Sequence, residues 1–253
     1  MMENNSQQIK IGLCGATGRT SQSIIKEAQS LGNQFRITSK FSSSSKKEEL
    51  PGFCKDADVI IDFSNPAILH ELLEQCVALN KPLIIGTTSL TDEHRRHLQE
   101  SSHKIPIVYS ANMTQGINLI ADLIAKCVSA LGEQYDAEII EYHHRYKKDA
   151  PSGTAVMLGQ EIAKAKDLNF DDNVVLSRSS KNLRKPNEIG IVSIRGGGIK
   201  GEHEVIFASD NEIIKLSHQV ISRDTYADGA LKAALWIVSK KPGLYSMRDV
   251  LAL

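Results

Sequence analysis

Ile9-Lys10-Ile11-Gly12-Leu13-Cys14-Gly15-Ala16-Thr17-Gly18-Arg19-Thr20-Ser21 is the stretch on which the fold turns. Its first six residues form a short apolar run suited to a strand, and the amphipathic run Ser21–Leu31 that follows suits a helix. A glycine-bearing turn between a first strand and a helix lets the backbone approach a pyrophosphate. The unpaired N–H groups and dipole of the new helix then favour its negative charge. Gly15, Ala16, Thr17, Gly18, Arg19 and Thr20 are therefore candidate cofactor-phosphate residues. Thr17 and Ser21 stand where glycines are more usual, and an ordinary tight turn between strand and helix is the competing reading.

Working outward, FRITSK, DVIIDFS, PLIIGTT and Ile105–Tyr109 are further strand candidates, and amphipathic stretches such as AILHELLEQCVALN separate them. Runs such as Val59–Phe63 and Leu83–Ile85, apolar without alternation, suit strands buried on both faces of a parallel sheet. The second strand of an NAD-specific site usually ends in an acid that accepts the ribose 2′-hydroxyl. Here Lys40 stands near that end. A lysine cannot accept that bond but can pair with a 2′-phosphate, so NADPH is the preferred cofactor, with Arg19 assisting and NADH a secondary one. A solvated surface lysine is the alternative. The segment between Lys40 and Asp56 is short, which implies a trimmed second βα unit, and Ser42–Ser45 reads as a surface loop.

Beyond a helical stretch from about Gln115 to Leu131 the texture changes. YDAEIIEYHH, NEIGIVSIRGG, EHEVIFAS and EIIKLSHQV are strands with one helix, roughly Thr154 to Lys166, among them. Ser209-Asp210-Asn211 is a hairpin signal between the last two. The fold class is α/β: a Rossmann-type doubly wound parallel sheet with a second α+β domain built on an open mixed sheet. Thr225–Ser239 has apolar residues at helical spacing and returns to the first domain. The expected division is residues 1–113 plus 224–253 for dinucleotide binding and 114–223 for substrate binding and oligomerisation. A chain of 253 residues is long enough for two domains.

The densest chemistry lies in Glu141-Tyr142-His143-His144-Arg145-Tyr146-Lys147-Lys148-Asp149-Ala150-Pro151-Ser152-Gly153-Thr154. Paired histidines and nearby cations end a strand, and Pro-Ser-Gly-Thr opens a helix. Imidazolium and ammonium groups supply both positive charge and a transferable proton, which suits a dianionic substrate. Ser152, Gly153 and Thr154 offer N–H groups and hydroxyls to a carboxylate. The same run also reads as a plain capped helix start with solvated charges, but that reading leaves the two histidines unexplained.

Composition narrows the function classes. Thirty basic and thirty acidic residues give zero formal net charge, so there is no global field to gather nucleic acid or anionic lipid. The four cysteines, Cys14, Cys54, Cys76 and Cys127, show neither C-x-x-C nor zinc spacing, so no metal is expected and free thiols in a reducing compartment fit best. The polar N-terminus lacks a signal core and no long apolar run exists, so a cytoplasmic protein is expected.

The stretch from Glu141 to Ala155 resembles the signature of the 4-hydroxy-tetrahydrodipicolinate reductases, with two histidines, a lysine and Asp-Ala-Pro-Ser-Gly-Thr-Ala at that family's spacing. The likeness extends through Gly15–Thr20, Asp62–Pro66, Gly86–Thr88, Ser110–Met113 with Gly116–Asn118, Ser193–Gly197, Gly201–His203 and Ser222–Tyr226. Ser89-Leu90 departs from the family's more usual Gly-Phe. The resemblance implies an NAD(P)H-dependent reductase of lysine and diaminopimelate biosynthesis acting on a small cyclic dicarboxylate. It also implies a Rossmann domain and a substrate domain whose sheet builds a homotetramer. Carried over by position, His143 falls on the acid/base histidine and Lys147 on the proton donor. His144, Gly153 and Thr154 fall on substrate-binding positions. Gly86, Thr87, Thr88, Ser110, Ala111, Asn112 and Met113 fall on loops holding the cofactor near its nicotinamide end. Hinges near Met113 and Arg223 would let the domains close. On side-chain chemistry alone, either Lys147 or His143 can deliver the proton. Two rivals stand beside this reading. One is another two-domain Rossmann oxidoreductase, acting for example on a semialdehyde or a sugar; the thioester-type semialdehyde dehydrogenase needs a nucleophilic cysteine, which the histidine-rich loop lacks. A nucleotide sensor has no use for a proton donor.

Overall fold

The computed structural model describes residues 8–178 and 183–253; the polar residues 1–7, part of the basis for the cytoplasmic expectation, lie outside them. In chain order the elements begin β1 (Ile9–Cys14), α1 (Arg19–Ser30), β2 (Phe35–Phe41), α2 (Leu50–Lys55), β3 (Val59–Asp62), α3 (Leu69–Ala78), β4 (Leu83–Ile85), α4 (Asp92–Ser102) and β5 (Pro106–Tyr109). They continue with α5 (Gln115–Leu131), β6 (Asp136–His143), α6 (Gly153–Ala165), α7 (Phe170–Asn173), β7 (Val174–Val175), β8 (Ile189–Arg195), β9 (Glu202–Ala208) and β10 (Ile213–Gln219). The chain closes with α8 (Asp224–Ile237), β11 (Gly243–Tyr245) and α9 (Met247–Leu251). Two compact units result, one of Met1–Gln115 with Arg223–Leu253 and one of Gly116–Ser222.

The first unit is a six-stranded sheet in the order β11-β5-β4-β3-β1-β2, parallel throughout. Helices cover both faces. Ile24 and Ala28 of α1 share one core with Ala227, Ala230, Leu231 and Ala234 of α8. Leu69, Leu72 and Leu73 of α3 share the other with Phe53 of α2 and Leu98 of α4. This two-sided burial is why Val59, Ile60 and Ile61 are apolar without alternation. The chain runs from β1 to β2 on one side and from β3 onward on the other, so the order reverses beside β1. Open α/β sheets bind ligands at the carboxyl ends of the strands at such a reversal. α2 has only six residues, the trimmed unit expected from the short segment after β2. β11 escaped the sequence reading because three residues carry no period.

The second unit is a five-stranded mixed sheet in the order β10-β9-β6-β8-β7. β6 runs parallel to β8 and antiparallel to β9, and β9 pairs antiparallel with β10 across the expected hairpin. Side chains alternate along each strand. Ala137, Ile139, Ile189, Ile191, Val205 and Phe207 face a core built with Ile117 and Ile124 of α5 and Leu158 and Ile162 of α6. Glu141 and His143 follow Ile139 at the same parity, so they continue that helix-covered face at the end of β6. The opposite face carries Ile140, Tyr142, Val192 and Ile194, paired across β6 and β8.

Candidate functional site

The glycine turn after β1 is built for close approach. Gly15 has φ +76°, and a side chain there would overlap the carbonyl of Phe63. The amides of Gly15 and Ala16 donate to Phe41 O at 2.8 and 3.0 Å, and Gly18 N donates to Gly15 O at 2.9 Å. α1 then starts with Gly18 as its cap residue, with no side-chain cap bond and no acid in its first turn. The partial positive charge of this helix N-terminus suits a pyrophosphate. Gly15, Thr17, Gly18, Phe63 and Asn65 line a cavity of about 430 Å³ here. An adjoining one is lined by Arg19, Thr20, Gly86, Thr87, Thr88 and Arg223. These observations fit a dinucleotide.

Lys40 is not brought to the 430 Å³ cavity. It is exposed and pairs in register with Leu13, one residue before β2 ends. Ser42, Ser43, Ser45 and Lys47 line the cavity instead, so the serine tract is a cleft wall rather than an idle loop. The reason is the position of the turn: the carbonyl of Phe41 receives the amides of Gly15 and Ala16, so the cleft opens on the residues after Phe41. Lys47 forms an ion pair with Glu71.

Beneath this cleft lies Asp62, fully buried at the end of β3. Its carboxyl accepts from the Ser64 amide at 3.1 Å, the Thr87 hydroxyl at 2.7 Å and the Ser64 hydroxyl. Burial raises its pKa, against the pull of those hydrogen bonds. Asp62 therefore ties the loop after β3 to Gly86–Thr88 after β4, and the hydroxyl of Thr87 serves that tie. Ser110 Oγ donates to Asn112 O at 2.7 Å, and Asn112 Oδ1 accepts from Thr114 N at 2.9 Å. Ala111 is the exposed residue of this turn, and the Met113 side chain is buried in the core with α8.

In the second unit, strand register assembles a cluster of ionisable side chains. Glu141 is opposite His203 on β9, and His203 is opposite His218 on β10. His143 is opposite Arg195 on β8. The fully buried Glu141 carboxylate takes both forks of Arg195, Nη2 to Oε1 at 2.7 Å and Nη1 to Oε2 at 2.9 Å. Oε1 also accepts from the Ser152 amide at 3.1 Å, and Oε2 meets His143 Nδ1. Burial alone would raise Glu141, but hydrogen bonds from Arg195, Ser193 and His143 outweigh it and hold the carboxyl at about 2. Burial lowers His143, helped by the charges of Lys147 and Arg195 and opposed by Glu141, a shift that favours the neutral imidazole.

Ser152 caps α6 through its hydroxyl, which accepts from Ala155 N at 3.2 Å and meets His203 Nε2 at 3.0 Å. The helix-cap reading of Pro-Ser-Gly-Thr is thus borne out. Gly153 and Thr154 form the first turn of α6, which contains no acid. Lys147 Nζ lies 2.9 Å from Asp149. His144 stands beside Tyr146, and its buried Nδ1 has no partner among the described residues. Glu141 and His143 were within reach of sequence reasoning, since residues two apart on a strand share a face. Arg195 and His203 were not, because only register brings them here. Among the described residues no group of three His, Cys, Asp or Glu is placed to hold a metal.

Burial pushes His203 from 6.5 down to about 3, with His143, His218 and Lys147 adding to the shift and Glu141 opposing it. The folded chain keeps this imidazole neutral where the unfolded chain takes up a proton. Its contribution to stability is complete above 6.5 and is lost as pH falls toward about 3. The thermal midpoint is therefore expected to fall on acidification below about pH 6.5, with His203→Gln losing less than the wild type down to about pH 4.5. Equal acid slopes in the two proteins would contradict this.

Two family models match the chain: "Dihydrodipicolinate reductase, N-terminus" over residues 9–113 and "Dihydrodipicolinate reductase, C-terminus" over residues 116–251. The 4-hydroxy-tetrahydrodipicolinate reductase of Rickettsia rickettsii is 43% identical over 242 residues, covering 96% of this chain and 98% of the relative. That of Zymomonas mobilis is 41% identical over 251 residues, covering 97% and 98%. Among solved structures, a dipicolinate-bound dihydrodipicolinate reductase from Paenisporosarcina sp. TG-14 superposes with TM-score 0.75 at 19% identity, covering 96% of this chain and 98% of that one, which is a likeness of fold.

Proposed function

The chain belongs to the dihydrodipicolinate reductase family and is an oxidoreductase reducing 4-hydroxy-tetrahydrodipicolinate to tetrahydrodipicolinate in lysine and diaminopimelate biosynthesis; from that premise we propose how its residues divide the work. The first unit holds NADPH, and the second supplies substrate contacts and the proton. The observation that carries this reading is the intact set His143, His144 and Lys147, in a chain that matches the family along almost its whole length. When bound, the dihydronicotinamide supplies a hydride. The net change exchanges a hydroxyl for hydrogen: one hydride and one proton enter and water leaves.

Gly15–Thr20 with the N-terminus of α1 bind the pyrophosphate, and Gly86–Thr88 with Ser110–Met113 flank the nicotinamide end. His144, Gly153 and Thr154 receive the substrate carboxylates, whose charge the cations of this loop offset. His143 and Lys147 are the proton-handling pair. NADPH preference is supported by a cleft wall of serines and Lys47 in which no carboxylate is a lining residue. Lys47→Ala is expected to raise KM for NADPH roughly five- to tenfold, as loss of a charge-assisted hydrogen bond does, and to leave KM for NADH unchanged. Equal effects on both cofactors would refute this use of Lys47.

The uncovered sheet face of the second unit supports a homotetramer. Val192 is 49% exposed and Ile213 62% exposed, and Ile194 lies in the same sheet. An apolar sheet face of this kind suits a second copy of the chain. Val192→Asp is expected to reduce the assembly size measured by light scattering, and an unchanged mass would argue against this face. No helix among the described residues is long and apolar enough to cross a membrane, and we place the enzyme in the cytoplasm. Turnover with substrate generated from pyruvate and aspartate semialdehyde tests the whole reading: rapid NADPH oxidation supports it, and none, with the cofactor bound, rejects it.

A further inference from the structure

We propose that Glu141, clamped by Arg195, is the positioning residue that fixes His143 as its Nδ1–H tautomer and leaves Nε2 as the one atom through which this histidine exchanges protons. The inference rests on the reading that His143 handles protons in the reaction. It follows from the hydrogen-bond inventory of a single buried carboxylate. An ionised carboxylate only accepts, with about four acceptor directions. Each neighbour of the Glu141 carboxylate is a donor to it: Arg195 Nη2 and the Ser152 amide to Oε1, Arg195 Nη1 and His143 Nδ1 to Oε2, with Ser193 a further donor. Nδ1 must therefore carry the hydrogen, and in a neutral imidazole Nε2 is then the acceptor.

The surroundings agree. Nε2 faces Gly201, where a side chain would come within 3.1 Å of it, and Gly201 has φ +146°, a conformation that disfavours any side chain. The backbone of β9's leading turn thus leaves room beside Nε2. The groups facing His143 are Glu141 on its own strand, Arg195 on β8, His203 on β9 with its ring centroid 5.3 Å away, and Lys147 in the following loop. His203 is held neutral, Arg195 pairs with Glu141, and Lys147 pairs with Asp149 at the exposed edge of the cluster. A neutral Nε2 acceptor beside a cationic ammonium divides the work: Lys147 gives the proton and His143 accepts and relays one. Arg195 also donates to the carbonyl of Asp149 at 2.7 Å, so the clamp ties the sheet to the loop that carries Lys147.

The test is the imidazole nitrogen spectrum of the full chain labelled with ¹⁵N-histidine, assigned with His143→Gln. Near neutral pH the wild type is expected to show His143 Nδ1 protonated and Nε2 unprotonated, and this needs no altered network. In Glu141→Gln the tautomers are expected to mix, kcat to fall roughly tenfold or more, and the pH profile to shift, while the dissociation constant for NADPH stays the same. A wild-type His143 protonated at Nε2 would overturn the proposal. So would a Glu141→Gln enzyme with unchanged kcat and pH profile when His143→Gln has lost turnover. Full turnover in His143→Gln would instead overturn the reading of His143 on which the proposal rests.

Discussion

Lys147→Ala is expected to lower kcat by roughly 10²- to 10⁴-fold, the span typical of a lost general acid, while NADPH binds as it does to the wild type. The glycine turn Gly15–Thr20 and Lys147 belong to different compact units, so removing this ammonium leaves that turn intact. Lys147 is 22% exposed and bonded to Asp149, so its charge is held near the histidines rather than loose in solvent. Neighbouring Lys148 does not replace it, because general acid catalysis depends on hydrogen-bond reach. Lys147→Arg is expected to fail almost as badly, since a guanidinium keeps its charge but does not release a proton near neutral pH. Steady-state kinetics beside a direct NADPH titration checks both variants. A Lys147→Ala enzyme with wild-type kcat would remove Lys147 from the chemistry.

Gly15→Ala is the second large effect, and it acts through backbone geometry. A non-glycine residue forced to φ +76° costs roughly 1–2 kcal/mol. The added methyl also meets the Phe63 carbonyl, a backbone atom that cannot swing away as a side chain would. Relief requires the turn to shift, and the amides of Gly15 and Ala16 then leave the Phe41 carbonyl. The dissociation constant for NADPH is expected to rise roughly tenfold or more, since about 1.4 kcal/mol corresponds to each factor of ten. Gly32 supplies the control. It also has positive φ, +58°, but nothing lies within 4 Å of a side chain built there. Gly32→Ala should lower stability slightly and leave NADPH affinity unaltered, and equal losses of affinity in both variants would sink the steric account.

The same contrast between local and assembled features explains what could be read from the sequence. The glycine turn after β1 was legible because strand, turn and helix are consecutive in the chain and each carries its own signal. The helix over Gln115–Leu131 and the hairpin at Ser209–Asn211 were legible for the same reason. Lys40 shows the limit. Strand alternation and length place it near the end of β2, but a one-residue difference in where the strand stops decides whether it or the serine tract forms the cleft wall. Glu141 shows another. Its parity with His143 was visible, but its importance comes from Arg195 and Ser152, which β8 and the start of α6 bring to it. His203 is 60 residues from His143 in the chain, and its ring stands 5.3 Å away only because β9 pairs with β6 in one particular register. Family resemblance supplied roles for His143 and Lys147; the buried charge network behind them had to be seen in the fold.

The central claim is that this chain moves a hydride from NADPH into a cyclic dicarboxylate while its own side chains deliver the proton. The most direct measurement uses NADPH carrying deuterium at both nicotinamide C4 positions, so that whichever face donates the transferred hydride is labelled, with substrate formed in situ and product mass read by mass spectrometry. The account predicts tetrahydrodipicolinate carrying a single deuterium, formed in step with cofactor oxidation. Unlabelled product, or no product from folded enzyme with NADPH bound, would contradict it.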